Sequence, residues 1–133
     1  MSAEATELER PILVVEDDDT FGHLLAAHLT AHDYDVIVAD SVEAAEAQLR
    51  AGVRPSLVLL DINLPGDTGW SLLRGTLLAD AGDPPVVAIS AIPANPRRLA
   101  QYHLAGYLPK PFAMETLLAT VERLQQEQGG NAS

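Results

Sequence analysis

Apolar runs of four or five residues alternate about five times along the chain with longer stretches whose apolar positions recur at helical spacing. That alternation is the mark of βα units and a parallel sheet. Strands are expected at 12–15, 34–39, 57–60, 86–89 and, short, at 106–108. The second, third and fourth of these are continuously apolar or nearly so, as expected for strands covered on both faces.

Between the strands, Phe21, Leu24, Leu25, His28 and Leu29 fall at i, i+3, i+4, i+7 and i+8, which makes one apolar stripe on a first helix. Ser41 is placed to cap a second, alanine-rich helix that Gly52 and Pro55 terminate. A third helix is expected from about Trp70 to Ala79, with Gly69 and Trp70 marking its start and Gly82 and Pro84-Pro85 beyond its end. A fourth follows Pro96, since proline suits a helix's first turn, and ends at Gly106. The fifth presents Leu117, Leu118, Val121 and Leu124 inward. Past Gln128 the small polar residues GGNAS predict a frayed tail.

Composition narrows the function without naming it. At 133 residues the chain is one domain's worth, with no room for a second module. Nineteen acidic against eight basic residues give a formal charge of -11, which argues against direct nucleic-acid binding by phosphate neutralisation. Without cysteine there is neither a disulfide nor a thiolate metal site. No apolar run approaches the length of a membrane span, and the first residues have no cationic start before an apolar stretch, so a soluble cytoplasmic protein is expected.

The acids have a particular placement. Right-handed crossovers put all strand C-termini along one edge, where open α/β sheets bind ligands. Glu16, Asp17, Asp61, Ser90 and Lys110 all fall at or just past such ends. Two carboxylates about 4 Å apart repel by roughly 4 kcal/mol at an effective dielectric near 20, so a converging cluster calls for a cation: a lysine, a metal or bulk water's screening. Glu16, Asp17, Asp61 and the carbonyl of Asn63 make an all-oxygen set suited to a hard divalent ion such as Mg²⁺. Lys110 brings an ammonium to the same edge. With cation and lysine aimed at it, the Asp61 carboxylate suits nucleophilic attack on a phosphoryl group, with Ser90 offering a hydroxyl and Ala91 a main-chain N–H to the phosphoryl oxygens. Asp18 and Asp19 read instead as acids at the first helix's N-terminus, where negative charge is favourable. His28 and His32 share a helix face without a third ligand, and Arg97 and Arg98 form a small basic spot on an acidic surface.

The blocks ILVVEDD, LLDINLPGDTG, SA and LPKPF, in this order, resemble the receiver domains of two-component response regulators over about residues 11–126. Each block alone is weak; the four together are specific. The resemblance implies a CheY-like, flavodoxin-like α/β fold: a five-stranded parallel sheet of order 2-1-3-4-5 flanked by five helices. Residues 1–10 then form an N-terminal extension, 11–127 the domain and 128–133 a flexible tail. It further implies that Asp61 accepts phosphate from a histidine kinase or histidine phosphotransfer protein, with Mg²⁺ or Mn²⁺ held by Glu16, Asp17, Asp61 and the Asn63 main-chain oxygen, and Glu16 acting through a water. The main chain at Asn63 and Ala91 would hold the phosphoryl group, Lys110 would bind it, and Ser90 and Tyr107 would be the switch hydroxyl and aromatic. A cis bond before Pro111 belongs to the same pattern.

Two departures stand out. The 20 positions from Ser90 to Lys110 fall about two short of the usual span and include Pro93 and Pro96, so the fourth helix is expected to be short or displaced. No output domain follows the fifth helix, which suits a single-domain regulator that docks on a downstream protein, as a monomer or a phosphorylation-dependent dimer, or a receiver cut from a longer chain. Three other readings stand beside this one. Asp61-Ile62-Asn63 superficially resembles the DxD nucleophile of haloacid dehalogenase-type phosphatases, yet Asn63 replaces the second aspartate. A flavin carrier would need a phosphate-binding loop where Glu16 to Asp19 stand. A receiver-fold adaptor would work without phosphorylation.

Overall fold

The computed structural model describes residues 10–64 and 68–132, with Thr68 and 129–132 described by backbone alone. The expected extension up to residue 9 and the Pro65-Gly66-Asp67 part of the LLDINLPGDTG block lie outside the described residues. Five strands, β1 (Ile12–Val15), β2 (Val36–Ala39), β3 (Leu57–Asp61), β4 (Val86–Ser90) and β5 (Gly106–Pro109), form one sheet of order β2-β1-β3-β4-β5. Every pairing is parallel, as the alternating pattern required.

Six helices accompany them among the described residues: α1 (Asp19–Ala31), α2 (Val42–Arg50), α3 (Thr68–Arg74), α4 (Leu77–Asp80), α5 (Pro96–Ala100) and α6 (Met114–Ala132). The expected third helix is therefore two. It breaks at Gly75-Thr76, where glycine's backbone freedom makes continuing the helix about 1 kcal/mol less favourable than alanine would. The fourth is a five-residue helix capped by the Asn95 side chain, and it stops at Ala100 rather than reaching Gly106, in keeping with the shortened span. The last helix runs past the expected end at Gln128.

Because side chains alternate across a strand, the sheet builds two cores. Ile12, Val14, Leu57, Leu59, Val87 and Ile89 point to one face, against Leu25 and Leu29 of α1 and Leu117, Val121 and Leu124 of α6. Leu13, Val15, Val58, Leu60 and Ala88 point to the other, against α2, α3 and α4. β1, β3 and β4 are buried along their whole length, whereas β2, expected to be covered on both faces, is an edge strand with only Ala39 fully buried. It also starts at Val36, two residues later than expected. Two positions of the inward stripes face differently: Leu24 is 48% exposed, because α1 turns Leu25 and Leu29 to the sheet and Leu24 sits beside that line, and Leu118 is only partly buried.

On the second face, Trp70 of α3 lies against Tyr102, just past α5, with ring centroids 5.4 Å apart, and the Arg98 guanidinium stands 4.3 Å over the indole. The basic spot is thus half spent on an aromatic contact.

Candidate functional site

Parallel strands deliver their C-terminal residues to one edge, and there the structure brings together Glu16 after β1, Asp61 at the end of β3, Ser90 at the end of β4 and Lys110 after β5. The Lys110 Nζ lies 2.9 Å from Glu16 Oε1 and 3.3 Å from Asp61 Oδ2, pairing residues 94 and 49 positions apart. Both carboxylates are almost wholly buried, Glu16 at 2% exposure and Asp61 at 5%. Glu16, Asp17 and Asp61 each offer an oxygen, all within 4.8 Å of one another. Glu16, Asp17, Asp61 and Lys110, read from separate strand ends, thus lie side by side.

A charged group at 2% exposure must be compensated. Glu16 Oε2 accepts the main-chain N–H of Asp18 at 3.2 Å and Oε1 accepts from Lys110. Burial nonetheless dominates and pushes the Glu16 carboxyl up to about 7, the Lys110 hydrogen bond opposing the shift and the Asp61 carboxylate adding to it. For Lys110, burial alone would lower the pKa, but the hydrogen bond and charge of Glu16, and Asp61 beside it, prevail and raise it. The ammonium therefore stays charged. Its other flank is aromatic: Nζ stands 4.5 Å from the centre of the Phe21 ring, which meets Phe112 edge-on at 5.9 Å. Phe21 was legible only as part of an apolar stripe, and its contact with the site lysine had no local signal. The Lys110-Pro111 peptide is cis, as the resemblance implied.

Asp18 is more specific than a surface acid. It caps α1, its carboxylate accepting from Phe21 N–H at 3.0 Å, while its own N–H holds Glu16. Asp18→Ala should cost about 1 kcal/mol in urea unfolding and Asp18→Asn far less, since asparagine caps as well as aspartate; equal losses would mean that charge, not the cap, matters.

The Asn63 N–H donates to Asp61 Oδ1 at 2.8 Å. Its side chain turns across to the β4 exit, where Oδ1 accepts from the Ser90 hydroxyl at 2.7 Å, from Ala91 N–H at 2.8 Å and from Ile92 N–H at 3.4 Å. Ser90 Oγ also contacts the Ile92 carbonyl, and the Ser90 carbonyl accepts Lys110 N–H at 2.7 Å. Ser90 and Ala91 are thus where the sequence put them, but engaged with a side chain that it read only for its backbone. Tyr107 is half-buried on β5, beside an apolar groove of about 440 Å³ that Pro96, Leu99 and Leu104 also line.

Gly69 proves to be more than a helix start. A Cβ there would stand 2.8 Å from the Asp61 carbonyl oxygen and 2.9 Å from the Ile62 Cα, so α3 passes over the β3 exit at a distance only glycine permits. The cue available in the sequence was a glycine just inside a helix that follows the Asp61 loop. His32 Nδ1 lies 3.0 Å from the His28 carbonyl oxygen; the metal-compatible cluster found among the described residues is the acidic one.

An open α/β sheet with three acids and a lysine converging at its carboxyl edge defines the class, and comparison with known proteins gives it a family. The model of the response regulator receiver domain matches residues 12–122. This chain belongs to that family. Among similar proteins, the response regulator MprA of Mycobacterium sp. (strain KMS) is 37% identical over 116 residues, covering 85% of this chain and 49% of that protein. The uncharacterized transcriptional regulatory protein YvcP of Bacillus subtilis (strain 168) is 32% identical over 124 residues, 92% of this chain and 51% of that protein. The chain spans about half the length of these curated relatives. Of solved structures, the N-terminal domain of a response regulator/sensory box/GGDEF three-domain protein from Carboxydothermus hydrogenoformans superposes with TM-score 0.79 at 28% identity, covering 92% of this chain and 99% of that one. The non-phosphorylated HemR receiver domain from Leptospira biflexa gives 0.74 at 31% identity, covering 86% and 92%. The protein is a two-component receiver, a signalling domain, and no helix among the described residues is long and apolar enough to cross a membrane.

Receiver domains bind a divalent metal through an acidic cluster, and the residues here fit one. The donors are all oxygens, hard enough for a small divalent cation, and two of the three carboxylates are buried with Lys110 as their only cation in contact among the described residues.

Proposed function

We propose that Asp61 accepts a phosphoryl group from a histidine kinase or histidine phosphotransfer protein and that the acyl phosphate so formed changes the face built by α5, β5 and α6. The observation that carries this reading is the Lys110 ammonium within bonding reach of both Glu16 and Asp61 while Asp17 completes the cluster.

An Asp61 carboxylate oxygen attacks phosphorus, the bond from phosphorus to the donor histidine nitrogen breaks, and the electron pair leaves with the imidazole, which takes a proton. Lys110 is already poised against Asp61 and needs little reorganisation to meet the phosphoryl oxygens. Mg²⁺ or Mn²⁺ held by Glu16, Asp17, Asp61 and the Asn63 main-chain oxygen would offset the charge that gathers as the two anions meet. The Ser90 hydroxyl and the Ala91 N–H take a phosphoryl oxygen, and Tyr107 moves inward behind Ser90. Hydrolysis by water returns Asp61, so the chain switches under its own catalysis rather than turning over a substrate. The output is docking on a downstream protein or domain in the cytoplasm, by a monomer or a phosphorylation-dependent dimer. The charge of -11 speaks against the domain itself holding nucleic acid.

Incubation with Mg²⁺ and acetyl phosphate should label the protein to one phosphoryl group per chain, and Asp61→Asn should abolish the label. Sustained release of many phosphates per chain would favour a phosphatase, and labelling that survives Asp61→Asn would sink the assignment.

A further inference from the structure

The Asn63 side chain makes a set of contacts that phosphoryl acceptance does not require. Asn63 is an exposed loop residue, yet its carboxamide oxygen is aimed inward within reach of three donors: the Ser90 hydroxyl at 2.7 Å, whose proton the Ile92 carbonyl also faces, Ala91 N–H at 2.8 Å, and Ile92 N–H at 3.4 Å, which lies nearer Ser90 Oγ at 3.2 Å. A hydroxyl and two successive main-chain N–H groups around one oxygen form a small anion-binding concavity. Two of these donors, Ser90 and Ala91, are those assigned above to the phosphoryl oxygen. The same Asn63 is tied by its N–H to Asp61 Oδ1 at 2.8 Å, so its oxygen is tethered two residues from the carboxylate that would carry the phosphoryl group.

We infer that the Asn63 carboxamide is a built-in competitor for the phosphoryl-oxygen subsite, a positioning residue that keeps Ser90 and the Ala91-Ile92 turn engaged until a phosphoryl group displaces it. This rests on the reading of Asp61 as the acceptor. Its physical basis is the difference between the two acceptors. The carboxamide oxygen is neutral and takes hydrogen bonds of ordinary strength, whereas a phosphoryl oxygen is charged and takes bonds about twice as strong. The neutral acceptor holds the donors while nothing better is present and yields to the anion. The Ser90 hydroxyl has one proton and can give it to one of them at a time. If Asn63 were merely a brace between the two loops, its removal would loosen the subsite and weaken binding; as a competitor, its removal strengthens binding.

The test uses the intact chain with Mg²⁺ and beryllofluoride, a stable mimic of the phosphoryl group. Asn63→Ala should lower the half-saturating beryllofluoride concentration about five- to ten-fold, the scale of one net hydrogen bond. In a Ser90→Ala background the same substitution should lower it two-fold or less, because the strongest shared donor is gone. Without metal or beryllofluoride, the Ala91 amide proton of Asn63→Ala should move upfield as it loses the carboxamide oxygen, while Ile92 N–H keeps its Ser90 Oγ contact. Unchanged or weaker binding by Asn63→Ala, an equal gain with and without Ser90, or an unmoved Ala91 amide proton would each overturn the competition while leaving Asp61 as the acceptor. Failure of the unsubstituted protein to bind beryllofluoride would overturn the acceptor reading and the competition with it.

Discussion

Gly69→Ala is expected to destabilise the domain by about 1–3 kcal/mol and to slow the proposed phosphoryl acceptance at Asp61, read as acetyl phosphate labelling, by ten-fold or more. The added methyl would stand 2.8 Å from the Asp61 carbonyl oxygen and 2.9 Å from the Ile62 Cα. Both obstacles are main chain, so no side chain can rotate out of the way. Either α3 backs off the β3 exit, opening the packing of Trp70 and Leu72 in the second core, or Asp61-Ile62 shifts. A displacement of the order of 1 Å at a reacting group is enough to cost about a hundred-fold in rate. Gly75→Ala provides the comparison, because a Cβ there meets nothing closer than the Ser71 carbonyl oxygen at 3.6 Å. That variant should be neutral or gain up to about 1 kcal/mol. Urea unfolding read beside the rate of acetyl phosphate labelling separates the two effects, and a Gly69→Ala protein as stable and as quickly labelled as the parent would refute the close approach.

The second large effect is a dependence on pH that Glu16→Gln should erase. Burial lifts the Glu16 carboxyl from 4.5 to about 7, with Lys110 pulling the other way and Asp61 pushing with it. Since the folded value lies above the unfolded one, the stability this group contributes is full below about pH 4.5 and is lost as pH rises through about 7. In chelator, Glu16 should therefore make the protein less stable at pH 8 than at pH 5 by on the order of 3 kcal/mol. The change in urea midpoint between those pH values should shrink in Glu16→Gln; an identical change in both proteins would remove Glu16 as the cause. Divalent-cation binding should run in the opposite sense. A carboxylate must lose its proton to serve as a ligand, so affinity for Mg²⁺ should climb by up to about ten-fold per unit below pH 7 and level off above it. In Glu16→Gln it should be weaker and flatter, whereas Asp18→Asn with Asp19→Asn should leave it nearly unchanged.

The parts of this molecule legible in the sequence share one property: they repeat or they end a repeat. LVLL and VVAI are continuous apolar runs because β3 and β4 are buried on both faces, and Asp61, Ser90 and Lys110 were found because each closes such a run. β2 misled for the same reason, as an apolar run does not say whether a strand is central or at an edge, and here only Ala39 is fully buried. What stayed hidden depends on approach across long separations. The Asn63 side chain meets residues 27 to 29 positions away, and its composition as a polar loop residue is equally consistent with facing water. Gly69 is dictated by how closely α3 crosses the β3 exit, and Phe21 by where Lys110 arrives from β5. The split between α3 and α4 was marked by Gly75, but the apolar residues on either side of it keep the spacing of one helix.

The indole of Trp70 has an optical consequence. It is the chain's sole tryptophan, it directly follows Gly69, and it is held between α3 and the Arg98 and Tyr102 side chains of the segment after β4. A nearby guanidinium and a tilted phenol ring both influence an indole's emission, so intrinsic fluorescence is a one-residue gauge of the spacing between the Asp61 side of the sheet and the α5 side. No label has to be attached to watch that spacing during incubation with Mg²⁺ and acetyl phosphate.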